Sequence, residues 1–116
     1  MTEQDIQSRI RVALSEHGLV FRTNAGEFWQ GKRVFSREYQ QFVLINLQRI
    51  QGLPRGFSDL LFVSHGKTAF IECKTGHRKP SPEQEMFLAK MREFGHLAGV
   101  ARCEEDAIKI ILEEKS

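Results

Sequence analysis

Cysteine is scarce in this chain: Cys73 and Cys103 are its two, thirty residues apart. They match neither a CxxC zinc spacing nor a disulfide framework, so a reducing compartment is expected. No basic-then-apolar leader opens the sequence, and a cytoplasmic location follows as the default expectation. Long apolar runs are also missing. The longest, such as "FVLI" and "DLLFV", fall far short of the roughly 20 residues that cross a bilayer, so no membrane partner is expected. Neither sign of charge dominates. Seventeen basic residues oppose fifteen acidic ones, and a net +2 is too small to point to nucleic acid or membrane by itself. No repeat or low-complexity linker divides the chain. Its 116 residues, 41% hydrophobic and 28% charged, suit a single domain spanning 1–116 around one core.

The local patterns are clearer. In "TEQDIQSRIRVALSEHG", Thr2 stands where an N-cap belongs, acids fill the first turn, Ile6, Ile10, Ala13 and Leu14 share a face, and Gly18 stops the run. That predicts a helix. "LVFRTN" reads as a strand, and "EFWQGKRVF" as a hairpin turning at Gln30-Gly31. "REYQQFVLINLQRIQG" fits helix or strand, with a strand from about Phe42 favoured by its β-branched content. Asp59 to Val63 and Thr68 to Cys73 are two apolar runs across the short turn "SHGK", which predicts an antiparallel pair. Ser81, Pro82 and the acids of "SPEQEMFLAKMREFG" open a second helix that Gly95 ends. "LAGVARC" reads as a strand, and "EEDAIKIILEEKS" as a last helix burying Ala107, Ile108, Ile111 and Leu112. The order predicts an α/β sandwich with a mixed central sheet flanked by helices.

Charges sit where the pattern is otherwise apolar. In a hairpin centred near His65-Gly66, Asp59 comes opposite a residue close to Glu72. Because strand side chains alternate, Glu72 and Lys74 point to one face and Cys73 to the other. Two adjacent carboxylates stay ionised together only with a cation between them, and oxygen ligands suit Mg2+ or Mn2+. Asp59, Glu72 and the backbone carbonyl of Cys73 are candidate ligands, with Lys74 placed to steady an attacking water and offset charge in the transition state. The same spacing also describes a solvated face with an ion pair.

A wider pattern goes beyond the spacing. "GFSD" (Gly56 to Asp59), "ECK" (Glu72 to Lys74), "SPEQ" with Gln84, "GHLAGVA", and Glu3 before Ile6-Gln7 in "TEQDIQ" together resemble the VRR-NUC branch of the PD-(D/E)XK nucleases. The resemblance runs from Glu3 to about Asp106. It implies a restriction-endonuclease-like fold and a Mg2+- or Mn2+-dependent endonuclease of DNA, acting on branched forms such as Holliday junctions in a bacterial or phage-infected cell. It implies Asp59 and Glu72 as metal ligands, Lys74 as the catalytic lysine, Gln84 as a water-positioning or supporting group, and Glu3 as a further acid. Ser58 stands where the superfamily name has Pro. The segment 27–51 matches least.

DNA contacts are expected from Arg55 and from the basic stretch "KTGHRK", through Lys74, His77, Arg78 and Lys79. His65 and His77 fit no metal-ligand spacing. Trp29, with Phe28 and Phe35, reads as core, as a subunit contact or as a wedge against bases. Paired cuts in a symmetric junction imply a homodimer. A nuclease fold that binds or assembles without catalysis is the competing reading.

Overall fold

The computed structural model describes residues 1–23 and 25–113. Helix α1 (Glu3–Ser15) starts at a reciprocal cap in which Thr2 and Asp5 each satisfy the other's backbone N–H. Strands β1 (Leu19–Arg22), β2 (Glu27–Ser36), β3 (Gln41–Gln51), β4 (Leu60–Ser64) and β5 (Lys67–Cys73) follow. Helix α2 (Pro82–Glu93), strand β6 (Leu97–Ala101) and helix α3 (Glu104–Leu112) complete the chain. The main sheet has the order β1-β4-β5-β6. Its β1-β4 and β4-β5 pairs are antiparallel and β5-β6 is parallel, so the sheet is mixed as expected.

Alternation along β5 divides the interior. Ala69, Ile71 and Cys73 point into a cluster with Ile6, Ile10 and Leu14 of α1 and Ala107, Ile110 and Ile111 of α3. Phe70 points to the opposite side, where Leu88, Phe87 and Met91 of α2 cover it together with Phe57. The result is a sheet between two helices on one face and one on the other, the predicted layered α/β architecture. The β4-β5 turn uses left-handed backbone at both central residues, His65 (φ 40°) and Gly66 (φ 77°), the geometry that suits strand twist in a two-residue hairpin. No described helix is long and apolar enough to cross a membrane.

Two expectations need correction, and one open reading is narrowed. "EFWQGKRVF" is one continuous strand, with Gly31 at an irregularity in the β2-β3 register. Gln30-Gly31 lacks the first left-handed residue that a tight hairpin turn requires. The chain reverses at 37–40 instead, where Gln40 takes φ 54° and Ser36 accepts the Tyr39 N–H at 3.2 Å. Leu112 is 61% exposed, and Ile110 takes the inward position, one residue round the helical wheel from the predicted face. Trp29 is 62% exposed and forms no part of the core. Asn24, the end of the predicted "LVFRTN" strand, and 114–116, the end of the predicted last helix, lie outside the described residues.

Strands β2 and β3 pair with each other and form a second, two-stranded sheet separate from the main one. Gly26 and Leu53 close its base through a 2.8 Å backbone hydrogen bond. None of its described side chains joins either core cluster, and the protein measures 59 Å along its long axis against 30 and 26 Å across. The ribbon therefore projects as an arm.

One glycine fixes the approach of the site loop to α2. Gly56 has φ 89°, and a Cβ there would lie 2.7 Å from the Glu83 carbonyl oxygen. Gly56→Ala is expected to cost about 2 kcal/mol or more, because strain and a backbone clash add. Urea denaturation of the two proteins measures that loss, and an unchanged midpoint would refute the packing argument.

Candidate functional site

The "GFSD" loop is held from below. Ser58 is fully buried, and its Oγ donates to the Leu60 carbonyl at 3.1 Å. Thr23 grips the loop twice, donating its Oγ1 to the Ser58 carbonyl and its backbone N–H to the Asp59 carbonyl at 3.0 Å. With the backbone fixed, the Asp59 side chain reaches across to β5, where its Oδ2 accepts the Cys73 N–H at 2.9 Å. The β4-β5 register pairs Leu60 with Ile71, and one further step sets Asp59 opposite Glu72.

Glu72 is 1% exposed. Its Oε1 accepts the Gln84 Nε2 amide at 3.1 Å and lies 3.8 Å from the Lys74 ammonium. Its Oε2 is buried with no hydrogen-bond partner. An unmatched buried carboxylate oxygen costs free energy of order 1–3 kcal/mol unless something binds it. Burial is the main cause that pushes the Glu72 carboxyl from 4.5 up to about 9, and the facing Asp59 carboxylate adds to it. Lys74, itself buried, pulls in the opposite direction.

Glu3 arrives from the first turn of α1. One carboxylate oxygen from each of Glu3, Asp59 and Glu72 lies within 4.8 Å of the others. Three acids from elements distant in sequence thus share one small volume, a donor set that fits a hard divalent cation. The buried, partnerless Oε2 of Glu72 is the atom such an ion would satisfy. Cys73 meets the cluster through its backbone. Its N–H is directed to Asp59, and strand geometry directs its carbonyl to the same edge. Burial pushes its thiol up, so it stays a neutral packing group.

Gln84 has two duties. Its Oε1 accepts the Ser81 N–H at 2.8 Å, completing the reciprocal cap of α2, while its Nε2 holds Glu72. With its oxygen engaged by the cap, the amide presents a donor to the acid. Its position supports orientation of Glu72 rather than acceptance of a proton from water. Gln84→Ala is expected to lower stability by about 1–2 kcal/mol through loss of both contacts, as read from the thermal or urea midpoint. A shift below a few tenths would show that the shared amide carries little.

Of the residues expected to meet DNA, Lys74 lies in the cluster, while Arg55, His77, Arg78 and Lys79 are exposed. The loop after β5 folds back through Arg78 N–H to the Thr75 carbonyl, 3.0 Å, and Arg102 braces it by donating to the Gly76 carbonyl at 2.8 Å. Arg78 also lies 3.8 Å from Glu3, which ties the basic loop to the acidic cluster. Sequence reasoning did not find that pair, nor the role of Thr23. Both join residues far apart in the chain, and no local pattern announces them.

Compared with known proteins, the chain matches no family model and no curated relative.

Proposed function

We propose that this protein is a divalent-metal-dependent endodeoxyribonuclease. One observation carries the reading: three carboxylates from separate elements converge around a buried oxygen of Glu72 that has no partner, with a buried lysine beside it. Such a set is costly as an apo structure and rational as a cation site. Glu3, Asp59 and Glu72 would hold Mg2+ or Mn2+, with the Cys73 carbonyl available at the same edge. The ion would supply Lewis-acid polarisation of a phosphodiester.

The protein's own groups divide the remaining work. Lys74 is placed to offset negative charge as the phosphorus centre gains it and to orient the attacking water. Gln84 keeps one oxygen of Glu72 occupied, and the other would be the one to meet the ion. The exposed cations of the loop, Arg78 and Lys79 with His77, and Arg55 beside "GFSD", are suited to the phosphate backbone. The resemblance of "GFSD", "ECK" and "SPEQ" to the VRR-NUC nucleases supports a restriction-endonuclease-like assignment of the sandwich and branched DNA as the substrate class.

A panel of labelled linear, nicked, flapped and four-way DNA tests the reading, each with Mg2+, Mn2+ or EDTA. Cleavage of branched forms with either ion, abolished by EDTA, is the expected result. Cleavage that persists in EDTA would overturn the metal mechanism. Tight binding without cleavage under every condition would return the competing view of a nuclease-fold binding module.

A further inference from the structure

The two faces of the projecting arm differ in chemistry. Successive residues of a strand alternate, so Trp29, Gly31, Arg33 and Phe35 of β2 share a side. The register sets Arg49 opposite Trp29, Leu44 opposite Arg33 and Phe42 opposite Phe35. Both arginines of the paired strands therefore lie on one face with three aromatic rings, and all five of these side chains are exposed. The other face carries Val34, Val43, Ile45 and Ile50, with Phe28 as its ring and Lys32 as its cation. On the first face rings and guanidinium groups are paired. Arg33 lies 4.0 Å over the Phe42 ring, Phe42 meets Phe35 edge to face at 5.3 Å, and Arg49 is the cross-strand neighbour of Trp29. Two stations of ring and arginine result, about 20 Å apart along the ribbon at the usual rise of a strand. Charge is concentrated there too. Lys32, Arg33, Arg37 and Arg49 against Glu27 and Glu38 make up the whole net +2 of the chain, so the rest of the molecule is balanced.

From this pairing we infer that the Trp29 face of the arm binds an unpaired DNA strand, whose bases stack on Trp29 and the Phe35 and Phe42 rings while Arg33 and Arg49 meet its phosphates. Charge complementarity selects this occupant. Exposed rings alternating with cations suit a polyanion that carries flat apolar bases, and a guanidinium held against a ring keeps its N–H donors for phosphate. Bases in a duplex already cover each other's faces, so only an unpaired strand has faces to offer. A second copy packed on this face about a two-fold axis would set the two arginines against the same two arginines, like charge on like. The arm is also rooted at the site. Ala25 and Leu53 bridge where it leaves the body, two residues from Thr23, which holds the Asp59 carbonyl, and two from Arg55. An unpaired strand on the arm therefore starts beside the loop that carries Asp59, which makes single-stranded segments at a branch point the feature selected. The choice of DNA rests on the nuclease reading, whereas the stacking itself needs no metal.

Titration of the full chain in EDTA with a short labelled oligothymidylate tests it. Trp29 is the only tryptophan, so its emission reports stacking on this face directly. The expected result is saturable quenching by the single strand, little quenching by a duplex of equal length, and affinity that falls as salt rises. Trp29→Ala should weaken binding, read from the anisotropy of the oligomer, by about tenfold, and Trp29→Phe should restore most of it. An Arg33→Ala, Arg49→Ala pair should lower the salt slope by about 1.4, two phosphate contacts on a single strand. It also serves if Trp29→Ala fails to fold, and Gln30→Ala, Gln48→Ala on the other face should change nothing. Emission indifferent to saturating oligomer, equal quenching by duplex, or tighter binding of the matching oligouridylate would overturn the inference. So would emission that shifts with protein concentration and not with DNA, the mark of a second copy on this face. Cleavage of branched DNA without quenching here would strike the arm alone, and quenching without cleavage of any substrate would strike the nuclease reading alone.

Discussion

Asp59→Asn and Glu72→Gln are each expected to lower DNA cleavage by about 10³-fold or more, and Lys74→Ala by at least about 10²-fold, while the fold and most DNA affinity persist. Each substitution removes an ionisable group from the buried cluster. Asp59 and Glu72 supply oxygens to the three-acid cluster, and the Lys74 ammonium lies 3.8 Å from Glu72. Interactions that count mainly in the transition state change turnover more than binding. Single-turnover rates at saturating protein separate the two effects. Near-normal turnover in any two of the three variants would remove the assignment of this cluster as the catalytic centre.

The second large effect is on stability, and it depends jointly on pH and on metal. Without a divalent ion, the Glu72 carboxyl holds its proton up to about 9 in the folded protein against 4.5 as its ordinary value. Between those limits the native state binds more protons than the unfolded chain, so stability falls as pH rises. The contribution is fully present below 4.5 and is lost by the time pH passes about 9. A bound cation reverses the preference, because it requires the ionised form. Mn2+ at a hundred times its dissociation constant would add about 2.7 kcal/mol, a rise of roughly 10 °C in Tm for a domain of this size. Melting curves from pH 5 to 9 should therefore descend in EDTA, and the gain from Mn2+ should grow with pH. Glu72→Gln should flatten the descent and lose most of the metal gain. A wild type with no slope in EDTA and no response to Mn2+ would mean that the acids form a structural network.

Much of this was legible from local chemistry. Thr2, Ser81 and Pro82 marked the starts of α1 and α2, and the caps have the expected reciprocal form. "SHGK" set the hairpin register, and from it the facing of Asp59 and Glu72 followed by counting alone. The failures have a common physical origin. Gln30-Gly31 looked like a turn because glycine permits one, yet the same glycine serves where Leu47 crowds the backbone. Leu112 was assigned inward by periodicity, which defines a face only to within a residue when apolar positions cluster at a helix end. The arm's detachment was invisible, since alternating apolar residues predict a covered strand without saying what covers it. Glu3 entered the candidate site only through resemblance. Nothing near it in the chain signals that α1 delivers its first acid to the end of a strand seventy residues away.

The amide of Gln84 has a thermal consequence. Helix ends open with free energies far below that of the whole domain, and here the first turn of α2 and the orientation of Glu72 share the Gln84 side chain. Each excursion in which that turn frays frees the acid to rotate, and the site is disassembled while the rest of the molecule stays folded. On warming, activity should decline ahead of the global transition, so the working ceiling of the protein is the melting of a single helical turn.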